Sequence, residues 1–279
     1  MKIAISADST CDLPKALVAK HNINIMPLIV TLGEEERKDG VNISTEELYK
    51  YIDSTGTLAK TAARSAYEYQ EHFENILKEC DHVIHFSLSF HFSATGNNAL
   101  TASREIGEDK VTVINTKSLS SGSGLLVLSC AEKIAEGKDI ETIKAEISEE
   151  VEKIQASFLV DTLKYLHKGG RCSGVALLGA NLLKIKPRIS LVAGEMKVTK
   201  KYMGNINSSL IKYVKDILAE CPPNKKRVFV TSSSPMEIKP QISQILKDFG
   251  FEEVIENLAG CTICTHCGKN TLGILYVKA

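Results

Sequence analysis

The stretch His82–Ala99, HVIHFSLSFHFSATGNNA, most constrains what this chain can fold into. Val83–Leu88 is apolar and rich in bulky residues, which reads as a buried strand. A serine-rich turn follows, and then a helix from about Thr95, with Ser93 and Thr95 at the junction. A parallel strand that delivers its chain into a helix leaves free backbone N–H groups and the positive end of the helix dipole at that turn. Ser89, Ser93 and Thr95 add hydroxyl donors there. Such a place can hold a carboxylate or a phosphate, and strand ends in open α/β sheets are where ligands sit. Helix capping by Ser93 or Thr95 is the competing reading of the same residues.

Strands and helices also alternate through the rest of the first half, without an internal sequence repeat. Lys2–Ala7 alternates like a strand, and Asp12 followed by Pro14 opens a helix. Ile23–Leu32 reads as a strand and Glu34–Gly40 as a charged loop. Ser44-Thr-Glu-Glu47 and Ser65-Ala-Tyr-Glu68 have capping-box spacing and start helices to about Ser54 and Glu79. Leu58–Ser65 between them is a small-residue loop containing Thr61. Val111–Asn115 is a strand, a long helix follows Ser120–Gly124, and Asp139 caps another helix to about Gln155. Strands alternating with helices imply parallel βαβ units.

The pattern changes after Ala156. Phe158–Leu163 reads as a strand, Lys168–Arg171 as a tight turn and Gly174–Leu183 as a helix. Pro187–Val192 and Met196–Tyr202 flank Ala193-Gly194-Glu195 as a hairpin. Strands at Arg227–Ser232, Glu253–Leu258 and Leu272–Lys278 complete the chain, with helices before the first two. The expected architecture is therefore α/β in two domains, a parallel-sheet βαβ domain over 1–156 and a mixed α/β domain over 157–279. Interfaces between close-packed domains often house ligands.

Function classes can be excluded on composition. Lys+Arg and Asp+Glu both number 34 in 279 residues, so no general nucleic-acid or anionic-membrane binder is expected. The longest apolar runs, such as Gly124–Ala131, are too short to span a bilayer, and MKIAISADST enters a strand without a signal-peptide pattern. A cytoplasmic protein with eight reduced cysteines is expected. Cys261, Cys264, His266 and Cys267 have spacing that zinc or an iron–sulfur cluster could use. No second C-x-x-C pair completes such a site, so buried thiols near a turn are expected and no structural metal. No G-x-S-x-G elbow, P-loop or G-x-G-x-x-G fingerprint is present, so the chain carries no recognisable nucleotide site. His82, His85 and His91 read as surface or hydrogen-bonded core residues. His266 stands before Gly268 in a turn, where a backbone can approach a ligand closely. Arg171 follows two glycines on a loop free to bend.

Several of these segments together resemble the DegV family, the bacterial fatty-acid-binding proteins that serve fatty acid kinase. They are Asp8-Ser9-Thr10, the Lys60-Thr-Ala-Ala-Arg-Ser65 loop, Ser93-Ala-Thr-Gly-Asn-Asn-Ala99, Asp161-Thr-Leu-Lys-Tyr-Leu-His-Lys-Gly-Gly-Arg171, Leu183-Lys-Ile-Lys-Pro187 and His266-Cys-Gly-Lys-Asn-Thr-Leu-Gly273. The resemblance implies a carrier that binds one long-chain fatty acid in an apolar tunnel, its carboxylate at the domain interface. A separate fatty acid kinase subunit would then phosphorylate that carboxylate to an acyl phosphate for phospholipid synthesis. Carried over by position, the head would meet Thr61 and Ser93, with His266 in support, and Arg171 would face the kinase or the transferred phosphate. The chain itself would be no enzyme and would need no cofactor beyond the bound fatty acid. The alternative is an acyl hydrolase or acyltransferase using Ser93 and His266.

Overall fold

The computed structural model describes residues 1–173 and 185–279, so the helix expected over Gly174–Leu183 lies outside the described residues. The first half is built on a parallel sheet of four strands in the order Asn24–Met26, Ile3–Asp8, His82–Ser87, Val111–Asn115. All six residues of His82–Ser87 are buried, because helices cover both faces. Val83 packs with Tyr69, Phe73, Ala99 and Ala102 of helices Ala66–Leu77 and Thr95–Ile106. Its neighbours Ile84 and Phe86 point the other way, onto Leu126, Val127, Ile143 and Ile147 of helices Ser121–Ala135 and Ile140–Lys153. The period-two alternation of a strand thus loads two separate cores.

The second half is a mixed sheet of seven strands, in the order Glu253–Leu258, Pro223–Ser232, Leu272–Lys278, Ile154–Leu159, Ile185–Val192, Glu195–Met203, Cys172–Ser173. Helix Ser121–Ala135 connects the halves physically. Its Leu125 and Leu128 pack on Ala156, Phe229 and Leu275 of this sheet, while Leu126 and Val127 face the parallel one. A helix that is apolar all round is one buried between two layers, as this one is.

The expected α/β architecture is the observed one, with five local corrections. The strand read at Ile23–Leu32 breaks at Pro27, which has no N–H for a ladder. Its second half, Ile29–Leu32, joins a separate antiparallel sheet with Glu35–Lys38 and Lys60–Ala62. The loop read at Glu34–Gly40 therefore holds an edge strand, whose charged residues hid the strand pattern. Asp12 does not open the next helix: helix Lys15–Lys20 starts after Pro14, and Asp12 takes a left-handed backbone that ends the short 3-10 turn Ser9–Cys11. Its carboxylate instead accepts from Ser120 Oγ at 2.5 Å and from the Gly260 N–H at 2.8 Å. Finally, the strand read at Phe158–Leu163 runs over Ile154–Leu159, directly after the helix, and of the turn read at Lys168–Arg171 the first two residues end helix Lys164–Gly169, Gly170 caps it and Arg171 follows. Both capping boxes, at Ser44/Glu47 and Ser65/Glu68, form as read. Among the described residues no helix is long and apolar enough to cross a membrane.

Candidate functional site

Thr61, Ser93, Arg171 and His266 line one cavity of about 260 Å³. Thr61 stands on the short strand Lys60–Ala62, Ser93 on the turn before helix Thr95–Ile106, Arg171 after helix Lys164–Gly169 and His266 on helix Cys261–Cys267. The remaining walls are mostly apolar, with Leu28, Leu88, Phe92, Leu119, Ile263 and Cys267. Leu119, Ile263 and Cys267 also border a small inner chamber, floored by Phe158, Gly273 and Leu275. A few convergent polar groups in an apolar hollow are the usual make-up of a small-molecule site.

The polar groups are already linked across the two halves. Thr61 Oγ1 and His266 Nε2 lie 2.8 Å apart, although 205 residues separate them in sequence. Burial pushes the His266 pKa down to about 4, helped by the positive charge of Arg171, so the ring is neutral at pH 7. His266 Nδ1 is buried without a hydrogen-bond partner. A neutral ring carries one N–H. If that hydrogen is on Nε2 it is donated to Thr61, and the threonine's own hydrogen is left for another acceptor. Ser93 Oγ donates to Thr95 Oγ1 at 3.0 Å and accepts the Thr95 N–H at 3.2 Å. The N-cap position itself is Ala94, with no side-chain cap, so, against the capping reading, neither Ser93 nor Thr95 caps this helix; Ser93 bonds the N–H of its first residue while lining the cavity. Arg171 is exposed and donates to the Gly169 carbonyl at 2.6 Å.

No hydrogen bond joins Ser93 to His266: the serine is bonded to Thr95, and Nε2 of the ring is taken by Thr61. The nucleophile–base contact of a serine hydrolase is therefore not made here. Of the other serines at the strand end, Ser89 is turned away, donating to the Gly194 carbonyl at 2.7 Å. His82 bonds the Asp109 carbonyl and Thr112, His85 is fully buried in the first core, and His91 is an exposed residue near Glu195. The thiols of Cys261 and Cys264 point to backbone carbonyls. Among the described residues no three His, Cys, Asp or Glu side chains converge on a point that could hold a metal ion.

Sequence reasoning missed why two glycines precede Arg171. Gly170 is in the left-handed region that ends the helix. Gly169 is needed for space: a Cβ there would lie 2.6 Å from His266 Nδ1. Gly169→Ala is therefore expected to push the ring off Thr61, weakening ligand binding at this cavity at least about ten-fold while lowering the melting temperature by only a few degrees. Binding titration beside a thermal melt checks this, and a variant that binds like the parent would refute it.

A family model described as an uncharacterised protein of the DegV family matches residues 2–279. The chain belongs to the DegV family. A DegV domain-containing protein of Caldanaerobacter subterraneus subsp. tengcongensis is 31% identical over 278 residues, covering 99% of this chain and 98% of the relative. Among solved structures, a DegV family protein from Thermus thermophilus, described by its fatty acid binding, superposes with a TM-score of 0.93 at 27% identity over 100% of both chains. DegV of Bacillus subtilis, described as a fatty acid binding protein, superposes at 0.86 with 26% identity, again over 100% of both.

Proposed function

We propose that this DegV protein is a lipid carrier, not itself an enzyme, that binds one long-chain fatty acid and presents its carboxylate to a separate kinase for phosphorylation to acyl phosphate. The reading divides the chain into domains 1–156 and 157–279, with the acid's head where they meet. The single observation that carries it is the Thr61–His266 hydrogen bond in the wall of an apolar cavity shared with Ser93 and Arg171. Described fatty acid binding in the Thermus and Bacillus relatives supports the ligand class.

The physical logic is a division of labour. A carboxylate buried without partners costs several kcal/mol. Thr61, freed by a donating His266, and Ser93, whose hydroxyl rotates, would compensate it without burying a cation. The acyl chain, running inward past Leu119, Ile263 and Cys267, would contribute about 0.8 kcal/mol per buried methylene. Arg171 at the exposed rim would meet the kinase or the transferred phosphate rather than the carboxylate in its resting place, since a guanidinium matches phosphate bidentately.

Native mass spectrometry of the untreated protein is expected to show one bound acyl mass. Thr61→Val and Ser93→Ala should each weaken fatty acid binding ten- to a hundred-fold, about 1.5–3 kcal/mol, and barely change affinity for the matching fatty alcohol. Arg171→Ala should keep the acid bound yet slow its phosphorylation by a cognate kinase. Equal losses for acid and alcohol would mean that the hydroxyls only shape the cavity. A fall in acyl affinity with normal phosphorylation of the bound fraction would reverse the Arg171 assignment.

A further inference from the structure

His266 reaches Thr61 from a helix of only seven residues, Cys261–Cys267, and that helix has no cap of its own. Its N-cap position is Gly260, which offers no side chain. The cap comes from 222 residues away: Asp39 Oδ1 accepts the Cys261 N–H at 2.8 Å and Asp39 Oδ2 the Thr262 N–H at 3.2 Å. The N–H just before, on Gly260, goes to Asp12 Oδ1 at 2.8 Å. Three successive N–H groups of the second half are thus received by two acidic side chains of the first.

Asp39 is 2% exposed and is itself held. Ser9 Oγ donates to its Oδ2 at 3.1 Å, and its backbone N–H bonds the Leu28 carbonyl at 2.9 Å. Ser9 Oγ also accepts the Leu28 N–H at 3.1 Å. Leu28 is a wall residue of the cavity. One side chain is therefore tied on one side to the cavity wall of the first half and on the other to the helix that carries His266. Two oxygens on two successive N–H groups fix both the axial position and the rotation of a helix, as one bond would not. A charge-assisted cap on the positive end of a helix dipole is also strong for its size. His266 lies five residues beyond Cys261, about 7.5 Å along the axis, so a tilt at the capped end moves the imidazole.

We propose that Asp39 is the positioning residue of the acyl-head site: its two-oxygen cap docks the His266 helix onto the first half and sets the Thr61–His266 contact. Asp39 touches no ligand in this account. Its consequence for affinity rests on the fatty-acid reading above, whereas its consequence for His266 does not.

The test uses the full chain with Asp39→Asn, which keeps the volume but turns an amide N–H₂ toward one backbone N–H. Gly260→Ala is the second variant. It keeps both carboxylates but places a Cβ 3.1 Å from Asp12 Oδ1 and from both oxygens of Asp39, so the cap must shift. The first readout is the His266 ring by NMR titration without ligand. In both variants its pKa should rise by at least about one unit from its depressed value, as the ring leaves its dry seat. The second is affinity for hexadecanoic acid against hexadecanol, with about a ten-fold loss for the acid and less than about three-fold for the alcohol. A His266 titration unchanged from the parent in a folded variant overturns the proposal. If Asp39→Asn does not fold, Gly260→Ala alone decides by the same criterion. A parent protein that binds no fatty acid, with the ring responding as expected, counts against the carrier reading and leaves the positioning role supported.

Discussion

Asp8→Ala is expected to destabilise the protein by about 3–5 kcal/mol, lowering the unfolding midpoint by roughly 10 °C. Asp8 ends the first strand and is 1% exposed. Its Oδ2 accepts from Ser87 Oγ at 2.7 Å and from the Leu88 N–H at 3.2 Å, and its Oδ1 accepts the Tyr69 hydroxyl. His85 Nε2 stands 3.3 Å from the same oxygen, and its Nδ1 continues through Ser6 Oγ to His72 Nε2, at 2.9 and 2.8 Å. Removing the carboxylate strands several buried donors at once, and each costs about 1–3 kcal/mol when left without a partner. Asp8→Asn keeps one acceptor oxygen and should lose less. Denaturant unfolding of the two variants measures both, and an alanine variant within 1 kcal/mol of the parent would contradict the account. The loss should also reach the cavity lined by Thr61 and His266, because Leu88, whose N–H Asp8 holds, is one of its walls.

Stability is expected to peak near pH 6.5 and to fall on both sides. Burial, with the charge of Asp39 adding to it, pushes the Asp12 carboxyl up to about 8, against the lowering effect of its bonds to Ser120 and Gly260. The unfolded chain ionises this group near its ordinary value of 3.8, while the folded chain holds the proton until about 8. Its contribution is therefore full below pH 4 and is lost as pH rises to 8. His266 and His72 act with the opposite sign. Burial depresses both to about 4 from an ordinary 6.5, so their contributions are full above pH 6.5 and are lost as pH falls to 4. His21 and His82 are lowered as well, also by burial, and add in the same direction. Between pH 4 and 6.5 the histidines outweigh the single aspartate, and from pH 6.5 to 8 Asp12 removes about 2 kcal/mol. Asp12→Asn, which keeps an acceptor for the Gly260 N–H, should flatten that alkaline limb. Thermal melts across pH 4–9 decide it: an equally steep decline in Asp12→Asn would mean that another group titrates there.

Much of this protein was legible in one dimension because the relevant signals are local. The buried run Val83–Leu88, the two capping boxes and the Ala193-Gly194 hairpin each depend on neighbours a few residues away, and each formed where it was read. Glu35–Lys38 was illegible because an exposed edge strand needs no apolar pattern; its partner strand alone makes it a strand. Asp12 was misread for a related reason. A short acidic side chain before a proline looks like a cap, but the half-buried Gly260 N–H far along the chain was the stronger claim on it.

The sequence by itself determined the alternation of strands and helices, hence the parallel first sheet, and through its motifs it marked Thr61, Ser93, Arg171 and His266. Only the tertiary structure decided that these four share a cavity. Thr61 and His266 lie 2.8 Å apart because a helix with no local cap is seated by Asp39, and because Gly169 leaves room for the ring. Those are contacts across more than two hundred residues or against a missing side chain. Periodicity and spacing carry no record of them, because the energy that enforces them, pairing of buried polar groups and exclusion of overlapping atoms, exists only once the chain is packed.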